Sequence, residues 1–270
     1  MKTLANHLIL YDAECPMCNI YTKAFIKTKM LGPNGRVAYQ NTPATVCSLV
    51  DSKRAVNEIA LVNTKTGEVT YGVYSIFKIL GNAMPLFKPL FSFRPFGWLM
   101  SKAYAFVSYN RKMIIPSKAK PNELLPDFKL HYRIAYLVFT WLFTAYTLTA
   151  YAKILSPLVP LGTAYREYLI CGGQIVWQGL VCLCYNPEKY WDYLGNMMTI
   201  SFAGALLLLP MLLINNFVPI DTTICVFYFL GVAGLMFLEH LRRSRILHLG
   251  LTLSITWAIY RFAVLVWILI

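Results

Sequence analysis

After residue 130 the chain carries five apolar stretches in close succession, and no other feature restricts its fold as much. They cover about 131–153, 168–186, 193–215, 221–240 and 249–269. Each approaches the roughly 20 residues a helix needs to cross a bilayer core. Lipid offers backbone groups no hydrogen-bond partners, so such segments must satisfy their own as helices. An all-α transmembrane domain of about five helices is expected over 131–270. The second stretch is the weakest, being short and containing Gly172, Gly173, Gln174 and Gln178. Charge argues that it crosses. With the N-terminus inside and five crossings, Lys189, Arg242, Arg243 and Arg245 fall on the cytoplasmic side, as positive charges prefer. Loop 216–220 then lies outside without a basic residue, and the C-terminus is outside as well.

Composition agrees, with 57% hydrophobic residues, 14% charged residues and a mean hydropathy of +0.52. Those values exclude an ordinary soluble domain. The charge is uneven: 18 Lys and Arg stand against 7 Asp and Glu up to Arg133, and only 7 against 5 beyond it. The net charge of +13 therefore belongs mainly to the front half. A basic, water-soluble domain over 1–115 is expected, then a linker over 116–130 containing Pro and Lys. The positive charge suits an anionic lipid leaflet as partner. The basic residues are scattered and no nucleic-acid motif accompanies them, so nucleic acid is not an expected partner. The opening residues lead into a short apolar run that Asp12 interrupts. That run is too short for a signal-peptide core and has no cleavage site, which places the domain in the cytoplasm. There, paired cysteines read as catalytic or metal-binding rather than as a structural disulfide.

Such a pair is Cys15-Pro16-Met17-Cys18. The run Leu8–Tyr11 reads as a buried strand. Behind the motif, Tyr21, Phe25, Ile26 and Met30 recur at helical spacing. Pro16 stands at the first helical position, where its missing N–H is not needed. A thiol at a helix N-terminus is biased towards thiolate, which marks Cys15 as nucleophile. Cys18, one turn on, is placed to resolve a mixed disulfide. Further along, Gly32–Gly35 reads as a turn, Arg36–Gln40 as a strand and Thr45–Val50 as a short helix. Glu58–Val62 and Glu68–Tyr71 read as a hairpin about Asn63–Gly67. Gly72 then opens a helix with Val73, Ile76, Phe77 and Leu80 on one face. The order β-α-β-(α)-β-β-α suits an α/β thioredoxin-like domain. Residues 84–116 are dense in Phe, Leu, Pro and Met, with a helix expected from about Trp98 to Lys112. They suit either a segment against lipid headgroups, with Arg94, Lys102, Arg111 and Lys112 facing phosphate, or a cover for the edge of the redox domain.

Tyr11-Asp12-Ala13-Glu14-Cys15-Pro16-Met17-Cys18 resembles the opening Asp-x-x-Cys-x-x-Cys of the DCC family of thiol–disulfide oxidoreductases. The family usually has Gly where this chain has Ala13. The Gly67-x-Val69 hairpin, Gly72 before its helix and the run from Tyr104 to Asn110-Arg111 extend the likeness over the first 115 residues. Family members are often joined to membrane segments. The resemblance implies a thioredoxin-like fold and protein-disulfide reductase activity, with Cys15 and Cys18 as redox pair and protein thiols or disulfides as partners.

Three sets of residues carry the chemistry. Asp12 is either a proton acceptor for Cys18 during resolution or an N-terminal cap or turn residue of the helix. Asp12 and Glu14 would raise the pKa of Cys15 against the lowering by the helix terminus. Thioredoxins place a proline before the third strand, opposite the motif; here Ala55-Val56-Asn57-Glu58 has none, so substrate docking differs. Zinc needs about four ligands, and only His7 and Cys47 could join the pair, so neither metal nor cofactor is expected. The membrane part holds Cys171, Cys182, Cys184 and Cys225, which either relay electrons from Cys15 across the membrane or act as small buried apolar groups. Gln174 and Gln178 share a helix face and suit neighbouring helices. Arg261 would neutralise Glu167 or a lipid or quinone headgroup, or reach an interface. The leading reading is a membrane-anchored thiol–disulfide oxidoreductase whose helices anchor it or meet a membrane protein partner. The competing ones are a membrane transport or assembly protein with a regulatory redox domain, and a quinone- or lipid-linked electron carrier.

Overall fold

The computed structural model describes residues 2–42, 46, 48–117 and 124–270. They form two compact units, Met1–Tyr132 and Arg133–Ile270. The first unit is built on four strands: β1 (His7–Tyr11), β2 (Arg36–Ala38), β3 (Ala60–Asn63) and β4 (Val69–Tyr71). Their order in the sheet is β2-β1-β3-β4. Strand β1 runs parallel to β2, with Leu10 opposite Val37, and antiparallel to β3, with Ile9 opposite Leu61. Helix α1 (Pro16–Lys27) makes the crossover between the parallel pair. Parallel strands need such a connection, and its start falls at the carboxyl end of β1.

The period of two along the strands divides the core. Ile9 and Leu61 pack with Phe25, Ile59 and Ile79, while Leu10, Ala60 and Val62 pack on the opposite face. Strand β2 is shorter than expected. It ends at Ala38, and Tyr39–Asn41 forms a 3₁₀ turn that carries Gln40 towards the motif. A one-turn helix, α2 (Ser52–Ala55), follows; the Asp51 carboxylate accepts from the N–H groups of Lys53 and Arg54 at its start. The expected helix over 45–50 includes Thr45 and Cys47, which lie outside the described residues, as do positions 118–123 of the expected linker.

Gly72 leads from β4 into α3 (Val73–Ala83) with φ +60 and ψ −137, a backbone region open to glycine and strained for other residues. A Cβ at this position would lie 2.8 Å from the Glu58 Oε2 and 3.5 Å from the Tyr104 ring. After the short α4 (Lys88–Ser92) comes α5 (Arg94–Ile114), which begins one turn before the expected start because Pro95 fits a first helical turn. This segment does cover the domain: Phe91 and Phe96 stack on Phe77 of α3 at 4.7 and 5.7 Å between ring centroids. Leu86, Phe93, Trp98 and Leu99 nevertheless stay exposed.

The second unit consists of α6 (Leu130–Leu155), α7 (Arg166–Tyr185), α8 (Tyr190–Phe217), α9 (Thr222–Ile246) and α10 (Thr252–Leu269). Among the described residues these five are long and apolar enough to cross a membrane. Several of their polar side chains bond one another, although Thr144 Oγ1, Gln174 Nε2 and Trp257 Nε1 are buried without a hydrogen-bond partner among the described residues. Gln174 accepts from Arg261 Nε at 2.7 Å, and Gln178 donates to Thr256 Oγ1 and accepts from the Tyr193 hydroxyl. His240 sits between that hydroxyl at 3.1 Å and Ser254 Oγ at 2.9 Å. Arg261 also lies 5.0 Å above the Trp257 ring. Glu167 pairs with Arg166 at 2.8 Å, and its charge also acts on Arg261, whose hydrogen-bond partner is Gln174. Cys182 is buried and Cys184, two residues on, is exposed; all six described cysteines are free thiols.

Gly72→Ala should lower the stability of the first unit by about 1–3 kcal/mol through backbone strain. In the full chain this is read as an earlier urea midpoint for exposure of the Cys15 and Cys18 thiols, and an unchanged midpoint contradicts the strain assigned to Gly72.

Candidate active site

The sequence that ends β1 also builds the site. Tyr11 closes the strand, Asp12 turns the chain, and the Cys15 N–H donates to the Asp12 carbonyl at 3.2 Å. Cys15 is the N-cap of α1, with an extended backbone at φ −85 and ψ 112. Asp12 is thus not the helix cap. One of its carboxylate oxygens, Oδ1, accepts from the Glu14 N–H at 3.1 Å and from Gln40 Nε2 at 2.8 Å. The other, Oδ2, is buried and has no hydrogen-bond partner among the described residues. A buried carboxylate oxygen without a donor is costly, so this atom is a standing demand for one.

Both sulfurs are nearly covered, Cys15 being 5% and Cys18 7% exposed. Cys15, the thiol at the helix start, is thus no more open than Cys18. The pKa of Cys15 is lowered from 9.0 to about 6. The largest cause is the hydrogen bond from the Cys18 thiol, followed among the lowering influences by the Cys18 N–H and the positive charge of Arg111; burial and Asp12 work against them. Cys18 moves the opposite way, raised because its proton is held by Cys15 and because it is buried. The pair is therefore one thiolate stabilised by one thiol, the division of labour that exchange requires.

Of the two places open to Arg111, facing lipid phosphate or covering the redox domain, the structure has the second: it is 7% exposed, and its charge acts on Cys15. Its Nη2 donates to the carbonyls of Val56 at 2.9 Å and Leu124 at 2.8 Å, and its Nη1 to Ser108 Oγ at 3.3 Å. Neighbouring residues of α5 fasten the same segment. Ser108 donates to the Asn57 carbonyl, the Tyr104 hydroxyl accepts from the Ile59 N–H at 3.1 Å, and Tyr39 donates to the Glu58 carbonyl at 3.2 Å. Asn57 and Asp127 exchange two bonds of 2.9 Å, which holds the chain beyond residue 124 against this segment. In the stretch without a proline, 55–58, the carbonyls of Val56, Asn57 and Glu58 are thus bonded from within, as is the Ile59 N–H that follows. A helical spacing of Tyr104, Ser108 and Arg111 was visible in the sequence as i, i+4, i+7, and it was the one available signal that these residues act together.

Beside Cys18 opens a cleft of about 430 Å³ whose walls include Asp12, Arg111, Phe77, Phe96 and Tyr104. Cys15 is not part of that lining. Among the described residues no three His, Cys, Asp or Glu side chains gather as a metal-binding group.

Residues 9–115 match the DCC1-like thiol-disulfide oxidoreductase family. The likeness expected from Asp12, Cys15 and Cys18 is borne out for that stretch, and a redox function of the DCC1-like unit is supported. The family model ends before the five apolar helices, which it leaves unaccounted for. No curated protein and no solved structure matches the chain.

Alkylation of Cys15 in the full chain should follow a thiolate that titrates near pH 6, because the folded pKa is depressed to about 6. Arg111→Met should move that midpoint upward and Arg111→Lys should leave it low, since only the charge is retained. The same midpoint in all three proteins contradicts the assigned influence of Arg111.

Proposed function

We propose that the chain is a membrane-anchored thiol–disulfide oxidoreductase of the protein-disulfide reductase type, with Cys15 as nucleophile and Cys18 as resolving thiol. The observation that carries this reading is the thiolate at Cys15, held by the Cys18 proton and by Arg111 in a DCC1-like unit. With a pKa of about 6, Cys15 is ionised at neutral pH and still nucleophilic. Its sulfur attacks one sulfur of a target disulfide, forming a mixed disulfide and releasing the first target thiolate. Cys18 then attacks the Cys15 sulfur and releases the second. Two electrons pass to the target, and the enzyme keeps the disulfide.

The second step needs Cys18 to lose a proton that its surroundings hold firmly. Asp12 is assigned as the acceptor, because its unpartnered Oδ2 belongs to the same cleft wall as Cys18. The five apolar helices supply the anchor. The DCC1-like unit is assigned to the cytoplasm and the C-terminus to the outside, since that arrangement keeps Arg242, Arg243 and Arg245 inside. On the reducing side of a membrane, a dithiol is spent as reductant, which favours reductase over oxidant.

Cys18→Ser should accumulate mixed disulfides at Cys15 in cells, and Asp12→Asn should prolong the same intermediate in otherwise unaltered protein. Absence of any trapped partner, together with no reduction of a model disulfide by the purified chain, refutes the reductase reading. Reporter fusions at residue 120 and after Ile270 should report opposite sides of the membrane; the same side for both contradicts five crossings.

A further inference from the structure

We propose that the cleft beside Cys18 is a quinone site, at which the same dithiol hands its two electrons to a membrane quinone. The inference rests on the redox reading of Cys15 and Cys18 and gives that pair an acceptor besides protein disulfides. The occupant is fixed by what the cleft demands. Its volume of about 430 Å³ is within the range of small-molecule sites. Its walls are largely aromatic and aliphatic, with Phe77, Phe91, Phe96, Met100, Tyr104 and Val107 along them. Flat rings suit such walls, because aromatic faces stack offset on one another.

The polar end of the cleft narrows the choice. Asp12 is 3% exposed and its Oδ2 asks for a donor. Arg111 uses three N–H groups on Val56, Leu124 and Ser108, and a guanidinium carries five. The third charged group of the lining, Glu58, is paired with Arg54 at 3.1 Å. A head that accepts from Arg111 and, once reduced, donates to Asp12 answers both demands, and the carbonyl–hydroxyl pair of a quinone and its hydroquinone is such a head. A peptide is a poorer occupant. To pair as an added strand at 56–59 it would have to displace Arg111, Ser108, Tyr39 and Tyr104 from the backbone groups they hold. The chain also carries five helices apolar enough for the medium in which long-tailed quinones dissolve.

The chemistry balances within the pair and the quinone. The Cys18 sulfur adds to a ring carbon as its proton passes to Asp12, which later yields it to the ring. The Cys15 thiolate then attacks the Cys18 sulfur. The S–S bond forms, the C–S bond breaks, and its electron pair stays in the ring. Two protons end on the ring oxygens, one from the pair and, where Cys15 began as thiolate, one from solvent. Disulfide and hydroquinone are the products.

The full chain in lipid nanodiscs, reduced and freed of reductant, is mixed without oxygen with decylubiquinone. The expected result is hydroquinone formed in proportion to disulfide in the 15–18 peptide, and no reaction with Cys15→Ser or Cys18→Ser. Val107→Trp narrows the mouth of the cleft at a position already 39% exposed, and should slow quinone reduction roughly tenfold, the scale of a lost apolar fit. In unmutated protein, decylubiquinol should slow alkylation of Cys18, a reading that needs no variant. If the quinone stays oxidised while oxidised glutathione is reduced, the quinone site is overturned and the redox pair stands. If neither reacts, both fall. Quinone reduction unaltered by Val107→Trp, or alkylation of Cys18 indifferent to the quinol, overturns the cleft as the site.

Discussion

A buried guanidinium fastens two segments of the DCC1-like unit beside its pair of cysteines. Arg111 binds the carbonyls of Val56 and Leu124, and its charge lowers the pKa of Cys15. Burying a cation is costly unless its donors are met, and hydrogen bonds to charged groups are worth about 1.5–3 kcal/mol each. The carbonyls that meet this demand belong to the segment before β3 and to the chain beyond α5. Removing Arg111 would therefore loosen both and leave the thiolate with one fewer positive neighbour. Structure and reactivity share a single side chain here.

Around that anchor, the pair of cysteines is asymmetric by construction. Cys15, at the start of α1, is held as thiolate by the hydrogen bond from Cys18, while Cys18 keeps its proton and lines the cleft. On the proposed reading, a protein disulfide and a small apolar acceptor would meet different sulfurs of the same motif. In the second unit the same economy of polar groups holds without any motif. Arg243 donates to Glu239 at 2.7 Å and to Asn196 at 3.0 Å, so a cation among the helices is met on two sides. Gln174 and Gln178 join α7 to α10 and α8 through Arg261, Thr256 and Tyr193. Side chains that are expensive in lipid are retained because they find one another.

Local pattern made much of this legible in the sequence. The strand before Asp12, the turn, Pro16 and the apolar spacing of α1 are set by residues close in the chain, as are the hairpin at Asn63–Gly67 and the five apolar stretches. Boundaries moved where a tertiary partner intervened. Strand β2 gave up Tyr39 and Gln40 to a turn, in which Gln40 bonds Asp12 and Tyr39 bonds the Glu58 carbonyl. Arg111 was illegible for the same reason. A basic residue among aromatics reads as a surface group until the chain at 56–59, some 50 residues earlier, is known to lie beneath it. The hydrogen-bond partner of Arg261, Gln174, likewise comes from a helix distant in sequence. Asp12 could be singled out by its place in the motif, but its unsatisfied oxygen could not.

The central claim is that Cys15 and Cys18 interconvert as one dithiol–disulfide couple within the full chain. Equilibrating the protein in lipid with graded ratios of reduced and oxidised glutathione, then quenching and weighing the 15–18 peptide, tests it most directly. The account predicts a single reversible transition with the slope of a two-electron couple, in which both thiols disappear together. A pair that stays reduced at every ratio, or that takes up glutathione without closing a disulfide, would contradict it.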